Sequence, residues 1–180
     1  AMKAAMIAVM SSGMINAALY RASSASEIAG LLNKSIYRKT EDTMFTALCF
    51  CTLDVAKKEV TFTNAGMKAP LLKSRGTVTV MDRKGYGLPL GAYPESQYEE
   101  DTIELRPGDV LALFSDGVTE ARNKKREFYG DDRFKELLRA IDASNLSSSE
   151  IQKLILDDIR GFTENRQQDD DITLIIIKAL

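Results

Sequence analysis

Two acidic segments, each at the end of an apolar run, are the part of this sequence best suited to chemistry. The apolar run over 110–114 ends at Ser115-Asp116-Gly117, and Asp169-Asp170-Asp171 leads directly into a second apolar run over 172–177. Both runs are typical of buried strands, so their carboxylates are expected at the edge of a sheet. Hard divalent cations prefer oxygen ligands, and the two clusters could converge on such ions.

Both segments also have ordinary structural interpretations. An Asp before a Gly, as in Asp116-Gly117, often only caps a turn or hairpin. Acidic residues beside a buried strand often protect the edge of a sheet against aggregation. The residues alone therefore leave the metal site and the structural roles open.

The overall composition narrows the classes of function. The 180 residues are 44% hydrophobic and 28% charged, which fits one globular domain with a sizeable core. The net charge of −2 provides no basic field for nucleic acid or for an anionic membrane. Histidine is absent, which excludes Ser-His-Asp and Cys-His nucleophile systems and limits any zinc site to cysteine and carboxylate ligands.

The two cysteines provide information about the cellular compartment of the protein. Cys49 and Cys51 are two residues apart in a segment that reads as a strand, so they share one face. We interpret them as reduced, buried, small apolar residues rather than as a disulfide or a metal pair. Reduced cysteines are typical of the cytosol, and we expect a cytoplasmic location.

The first 19 residues are apolar enough to require a test for a signal peptide or a membrane span. Ser11-Ser12-Gly13 and then Asn16 interrupt the run, which leaves it too short to cross a bilayer. A helix that is apolar nearly all round is more simply explained as buried in a domain. Its methionines recur every four residues and either fill the core or form a face that can repack: Met2, Met6, Met10 and Met14.

The remaining pattern predicts a second helix, a block of strands and then two more helices. Potential capping residues over 23–27 precede an apolar face formed by Ile28, Leu31, Leu32 and Ile36. Strands are predicted over 43–53, 59–63, 70–73, 77–81, 98–105 and 110–114. The late helices cover 131–141 and a segment capped by Ser147 to Glu150, with Ile151, Leu154, Ile155 and Ile159 on one face.

The last strand, 172–177, is apolar except at Thr173, which predicts that both of its faces are buried. Helices, then antiparallel strands, then helices indicate an α+β domain in which helices cover the sheets.

Four segments, in family order, resemble the metal-dependent (type 2C) protein serine/threonine phosphatases. The resemblance is closest to the bacterial branch that serves sporulation and stress-response sigma-factor switches. The segments are Phe62 to Pro70, which contains Asn64-Ala65-Gly66; Leu88-Pro89-Leu90-Gly91; the block from Leu105 through Ser115-Asp116-Gly117 to Gly130; and Asp170-Asp171-Ile172-Thr173. Together they span nearly the whole chain.

The resemblance implies an antiparallel β-sandwich flanked by helix pairs, in an α-β-β-α arrangement. It also implies a two-metal Mg²⁺ or Mn²⁺ centre at one end of the sandwich, with Asp116 and Asp170 as metal ligands. Gly117 and Asp171 are candidates to support these ligands without coordinating the metal, and Glu120 has either this role or a purely structural one. No catalytic residue beyond the metal ligands is implied, because a metal-activated water would serve as the nucleophile.

Two departures from the family pattern affect this prediction. Met67 stands where the family has a histidine, so any polar role at that position is lost. The family's Asp-x-Ser-Gly-Lys/His-Gly motif, which supplies the aspartate that bridges both metals, would precede the helix that begins here. We therefore expect residues 1–180 to be a single phosphatase-like domain that is truncated at its N-terminus and lacks its first strands.

Two hypotheses about function follow from the resemblance. In the first, the parent protein hydrolyses phosphoserine or phosphothreonine on a regulatory partner such as an anti-sigma-factor antagonist, under the control of an upstream sensor domain. The present chain would then have little or no activity by itself. In the second, the chain is a catalytically incomplete interaction or regulatory module. Neither hypothesis involves nucleic acid or contact with a membrane.

Overall fold

The computed structural model describes residues 2–20, 22–38, 45–81, 87–164 and 166–180, with side chains from Met6 onward. It contains five helices and seven strands within these ranges: α1 (Met2–Ala18), α2 (Ala25–Tyr37), β1 (Leu48–Asp54), β2 (Glu59–Ala65), β3 (Leu71–Ser74), β4 (Thr77–Val80), β5 (Asp101–Glu104), β6 (Val110–Phe114), α3 (Asp116–Thr119), α4 (Asp131–Ala140), α5 (Ser148–Thr163) and β7 (Leu174–Lys178). The mixture of helices and antiparallel sheets confirms the predicted α+β class.

The chain forms two compact units, and each contains one antiparallel sheet. The first unit comprises Ala1–Met67 and Arg83–Glu104, and its strands have the order β1-β2-β5. The second unit comprises Lys68–Asp82 and Leu105–Leu180, and its strands have the order β4-β3-β6-β7.

In the first unit, α2 covers one face of the sheet. Ser24 caps this helix, as predicted, because its hydroxyl accepts a hydrogen bond from the Glu27 N–H (3.1 Å). Three predicted apolar positions are buried against Ala65 and Leu90, namely Ile28, Leu32 and Ile36. The prediction was wrong for Leu31, which is 43% exposed because the buried face is narrower than the apolar pattern.

The first helix is not buried all round, contrary to the prediction. Ile7 and Ala18 are buried, whereas Met6 is 66% exposed and Val9 is 75% exposed. Within the described residues, α1 packs mainly against α2, which leaves much of its apolar surface exposed. Met6 is exposed while Met14 packs against the buried cluster, so the described methionines do not form one buried face. Of the helices that the structure describes, none combines the length and apolarity needed to cross a bilayer.

The two cysteines lie on β1, as predicted, and both are free thiols. Their sulfur atoms are 3.8 Å apart, which agrees with side chains on the same face of a strand. Both are half-buried rather than buried, and β1 is an edge strand of the sheet formed by the described residues, where it pairs with β2. The Cys49 thiol is close to that of Cys51, and this contact raises the pKa of Cys49 and lowers that of Cys51.

In the second unit, β6 is one of the two inner strands, and all five of its residues are buried. The edge strand β7 begins at Leu174 rather than at Ile172, and the prediction that both of its faces are buried was wrong. Leu174 and Ile176 join the core formed by α4 and α5, whereas Ile175, on the opposite face, is 53% exposed. This strongly apolar edge strand therefore buries its helix-covered side more completely than its opposite side, where Ile177 is only partly buried.

Helices α4 and α5 complete the core of the second unit. Phe134 of α4 meets Phe114 of β6 edge-on, with ring centroids 4.8 Å apart. The predicted cap of α5 is confirmed as a reciprocal capping box between Ser147 and Glu150. Ile151, Ile155 and Ile159 are buried as predicted, but Leu154 is 45% exposed because it lies at the edge of the apolar stripe.

Lys73 on β3 is a buried lysine, only 9% exposed, that no local pattern in the sequence predicts. Its Nζ atom donates hydrogen bonds to the carbonyl oxygens of Leu138 (2.9 Å) and Arg139 (2.9 Å), and also to that of Ile141. These carbonyls lie at the C-terminal end of α4, where the helix leaves acceptors unpaired and where its dipole favours a cation. Burial lowers the pKa of the Lys73 ammonium, while the nearby Asp142 carboxylate opposes this effect.

We expect Lys73→Met to destabilise the protein by roughly 2–3 kcal/mol, because it leaves several carbonyl groups near the end of α4 without their charged donor. Urea unfolding followed by circular dichroism measures the change. Lys57→Met is the matched control, because the Lys57 side chain is 68% exposed and its ion pair lies at the surface. Equal unfolding midpoints for the two variants would contradict the capping role of Lys73.

Candidate metal-binding site

The pairing of β6 with β7 brings the two acidic segments to the same edge of one sheet. Phe114 at the end of β6 pairs with Leu174 at the start of β7. Because the strands are antiparallel, the chain reaches Asp116 just after β6 and leaves Asp170 just before β7. Their backbones thus arrive together although the two residues are far apart in sequence.

Ser115 joins the two segments through both its backbone and its side chain. Its N–H donates to the carbonyl oxygen of Thr173 (3.0 Å), which extends the ladder by one step beyond the strands. Its hydroxyl donates to the carbonyl oxygen of Asp171 (3.2 Å) and accepts from the N–H of Thr173 (3.0 Å). A single polar side chain therefore fixes the position of one acidic segment relative to the other.

Gly117 allows the closest approach between the segments. A Cβ atom at this position would lie 2.3 Å from the carbonyl oxygen of Asp171 and 3.0 Å from its carbonyl carbon. Both are backbone atoms that cannot rotate away. The glycine in Ser115-Asp116-Gly117 is thus required by packing against the Asp171 backbone, and it needs no unusual φ angle.

The two aspartates predicted as metal ligands have the same local geometry. The Asp116 carboxylate accepts a hydrogen bond from the N–H of Gly117 (2.9 Å), and the Asp170 carboxylate accepts one from the N–H of Asp171 (2.8 Å). In both cases the bonded atom is Oδ1, which restrains the side chain relative to its own backbone. Both side chains are exposed, so their carboxylates can receive a ligand from solvent.

These two aspartates fit a hard cation as donors, because each presents an anionic oxygen at an exposed position. Across the described ranges, from 2–20 to 166–180, no group of three His, Cys, Asp or Glu side chains is placed to hold a metal ion. Asp116 and Asp170 can therefore supply two ligands but do not form a complete coordination shell within the described part of the chain.

A cavity of about 320 Å³ lies beside this site, within the second unit. Asp170, Gly117 and Glu120 line it, whereas Asp116 is not among the described residues that do. Glu120 is exposed and directly follows α3 as its C-cap, where its N–H donates to the carbonyl oxygen of Asp116 (2.8 Å). The other lining residues are Ala121, Arg122, Leu156, Ile159, Arg160, Thr163, Arg166, Gln167, Gln168, Asp169 and Ile172.

The remaining predicted residue, Asp171, is also exposed, and it contributes its backbone to the arrangement through the contacts with Ser115 and Gly117. The sequence analysis missed Ser115 itself, although the serine stands directly before the aspartate that it positions. The three arginines that line the cavity were not predicted either, because they are separated in sequence and come to one cavity only through tertiary packing: Arg122, Arg160 and Arg166.

The Met67 position lies in the first unit, where the Asn64 side chain closes a tight turn. Asn64 Oδ1 accepts from the N–H of Met67 (2.8 Å), and its Nδ2 donates to the Met67 carbonyl (2.9 Å). Both bonds use the backbone of residue 67, so the turn does not depend on the side chain there. Gly66, with φ +85°, packs so closely on Pro89 that an added Cβ atom would lie 2.6 Å from it.

A second amide side chain, that of Asn33, secures the loop that contains Pro89, and no local pattern in the sequence predicts this role. Asn33 of α2 is 1% exposed. Its Oδ1 atom accepts from the N–H of Gly91 (2.8 Å), and its Nδ2 atom donates to the Tyr93 carbonyl (2.9 Å). The sequence does contain one indication that Asn33 has a structural role, because it is a polar residue on the helix face that also carries the apolar Ala29 and Ile36.

Comparison with solved structures identifies the class of fold. The chain is similar to the PP2C domain of SiaA from Pseudomonas aeruginosa, with a TM-score of 0.80 and 20% identity over 99% of this chain and 70% of that one. It is also similar to the catalytic domain of the serine/threonine protein phosphatase PstP, solved with 2 manganese ions. That match has a TM-score of 0.61 and 16% identity, and it covers 93% of this chain and 79% of the other. The fold is that of PP2C phosphatase domains.

The chain belongs to the stage II sporulation protein E (SpoIIE) family, whose model matches residues 1–180. It is 29% identical over 154 residues to the phosphoserine phosphatase RsbU of Bacillus subtilis, which covers 85% of this chain and 44% of RsbU. The chain spans only between 17% and 44% of the length of the curated relatives that it matches.

We expect Gly117→Ala to destabilise the protein by about 1–3 kcal/mol, because the new methyl group must push the Asp171 backbone away. Chemical unfolding of the purified variant provides the measurement. Gly161→Ala in α5 is the matched control: an added Cβ atom meets nothing within 4 Å there, and the change is expected to be neutral or stabilising by up to about 1 kcal/mol. A Gly117 variant as stable as its control would contradict the contact.

Proposed function

We propose that this chain is the phosphatase domain of a metal-dependent enzyme that hydrolyses phosphoserine or phosphothreonine on a regulatory protein. The observation that carries this proposal is the pair of strand-end aspartate segments joined by Ser115, in a chain with the PP2C fold. Membership of the SpoIIE family and likeness to the phosphoserine phosphatase RsbU support the same reaction. A phosphorylated anti-sigma-factor antagonist is the kind of substrate that we propose.

We further propose that Asp116 and Asp170 bind Mg²⁺ or Mn²⁺. The manganese ions of the similar PstP domain and the preference of hard cations for carboxylate oxygens support this assignment. When bound, such ions polarise phosphoryl oxygens and activate a water molecule as the nucleophile. The sequence has no histidine, so none of its side chains can form a Ser-His or Cys-His nucleophile system.

The chain's own residues would restrain the two carboxylates and set the distance between the two acidic segments. Each carboxylate is restrained by a hydrogen bond from the N–H of the next residue, which lowers the cost of ordering it when a ligand binds. Ser115 sets the spacing of the two backbones, and Gly117 removes the side chain that would force them apart. Glu120 and Asp171 are proposed to support the ligands without direct coordination.

A second candidate function is a catalytically incomplete interaction or regulatory module. It is favoured because, among the described residues, no three His, Cys, Asp or Glu side chains lie close enough together to bind one metal ion. Under either candidate function, we propose that the protein is cytoplasmic. We also propose that it binds a regulatory phosphoprotein and receives a signal from a sensor domain in its parent chain.

We expect Asp116→Asn and Asp170→Asn, introduced separately into the natural protein that contains this chain, each to lower the rate of manganese-dependent phosphate release by roughly 100-fold or more. Each change removes an anionic ligand from a metal that the reaction requires. Release of inorganic phosphate from a phosphoserine peptide provides the rate. Asp132→Asn is the control, because that side chain is fully exposed on α4. Unchanged rates in both site variants would refute the assignment of these ligands.

We also expect the isolated 180-residue chain to bind Mn²⁺ weakly, with a Kd of about 10⁻⁴ M or higher, since Asp116 and Asp170 provide only two of the oxygen ligands that tight sites require. Isothermal titration calorimetry measures this affinity directly. Asp170→Asn should weaken it at least about tenfold, in line with the loss of one charged ligand. A submicromolar Kd would mean that further ligands complete the site.

A further inference from the structure

We propose that the turn formed by residues 122–128, here called the cationic turn, docks an acidic segment of the protein substrate next to the phosphorylated residue. This inference rests on the proposed phosphatase function and adds to it a class of preferred substrate. It is carried by the charge, rigidity and position of the turn.

The charge of the turn contrasts with that of the whole chain. Four of the five residues from Arg122 to Arg126 are cationic, whereas the complete sequence has a net charge of −2. Residues 124–128 are all exposed, and Phe128 is 52% exposed. Lys124 pairs with Glu164 (2.9 Å), while no ion pair is recorded within the described ranges for Lys125 or Arg126. Those two cations are therefore available to a partner.

Asn123 makes the cationic turn rigid. This side chain is 9% exposed, and its Oδ1 atom accepts hydrogen bonds from the N–H groups of Lys125 (2.9 Å) and Glu127 (3.0 Å). Its Nδ2 atom donates to the Glu127 carboxylate (2.7 Å), which occupies the one acidic side chain of the turn. A turn that is already ordered loses little conformational entropy on binding, so its charges can contribute to affinity.

An aromatic side chain completes the base of the turn. Arg122 and Phe128 pair across the two arms, and the Arg122 guanidinium lies 4.5 Å from the centroid of the Phe128 ring. This cation–π contact holds an exposed aromatic ring beside the cationic side chains. Arginine and aromatic residues are the types enriched at protein interfaces, which favours a protein partner.

The turn leads directly towards the candidate site. Arg122 lines the cavity of about 320 Å³ that Asp170 also lines, and Arg160 and Arg166 line the same cavity. Arg160 is paired with Asp157 (3.2 Å). Arg166 is paired with Asp169 (3.0 Å) through one nitrogen, while its buried Nη1 atom has no hydrogen-bond partner in the described structure. Cationic side chains therefore continue from the cationic turn to the place where the phosphoryl group is proposed to bind.

The experiment uses two synthetic phosphoserine peptides and the natural protein that contains this chain, assayed with Mn²⁺. One peptide has three glutamates on each side of the phosphoserine, and the other has glutamines at the same positions. We expect kcat/KM to be about tenfold higher for the glutamate peptide, mainly through a lower KM, since charge complementarity acts on binding. In the double variant Lys125→Glu/Arg126→Glu, this ratio should fall to about one or below, because the attraction is reversed.

The matched control is Lys57→Glu/Lys58→Glu in the turn between β1 and β2, where Lys58 has a positive φ of 56° that resembles the 66° of Arg126. The control should keep the peptide ratio of the natural protein. A ratio near one in the natural protein, or a ratio that persists in the cationic-turn variant, would overturn the docking proposal. Salt provides a second check, because the preference should weaken as ionic strength rises.

Two further outcomes separate this proposal from others. If the natural protein with Mn²⁺ hydrolyses neither peptide nor p-nitrophenyl phosphate, the phosphatase function itself fails and the docking proposal fails with it. If p-nitrophenyl phosphate is hydrolysed but the peptides are not distinguished, only the docking proposal fails. Binding to phosphatidylserine vesicles that is lost in the cationic-turn variant, without a peptide preference, would instead assign the turn to a membrane surface.

Discussion

The pairing of β6 with β7, extended by the Ser115 hydroxyl, is the interaction on which the candidate site depends. The hydroxyl both donates and accepts, so it satisfies two backbone groups of the opposite segment at a point where the regular ladder has ended. Without it, an unpaired carbonyl and an unpaired N–H would be left beside two anionic side chains. The backbones of the two acidic segments owe their common position at this edge of the sheet to the strand pairing and to Ser115.

The rest of the second unit holds β6 in place from both sides. Its five buried residues lie between β3 and β7 within the sheet, and Phe114 meets α4. Helix α4 is in turn held at its C-terminal end by Lys73 from β3, while the capping box fixes the start of α5. Polar interactions at element ends thus position an apolar core that by itself would tolerate small shifts.

The α+β class, the strands β1 to β6 and the capping of α2 and α5 could be predicted from the sequence, because apolar spacing and serine caps are local signals. The exposure of Ile175, Leu154 and Leu31 could not, because periodicity identifies an apolar face but not how much of it a neighbour covers. The roles of Lys73 and Asn33 could not be predicted either. Each side chain donates hydrogen bonds to backbone carbonyls about 60 residues away in the sequence, and a local sequence pattern cannot indicate such a distant partner.

At the candidate site, composition and strand-end placement identified Asp116 and Asp170, and the resemblance assigned them a role. The reason for a glycine at position 117 could be given only from the structure. The Asp171 backbone occupies the space that a side chain at position 117 would need. The arginines of the cavity and the order within the cationic turn follow from tertiary packing and from one buried amide, Asn123.

The pairing of β6 with β7 joins residues that are separated by about 60 positions along the chain, as in Leu113 with Ile175. Contacts of such long range form slowly, because a large loop must close before they contribute any stability. We therefore expect the two acidic segments to come together after the local helices and hairpins have formed. A cation bound between them would stabilise the native state far more than the folding transition state, so its main kinetic effect would be slower unfolding.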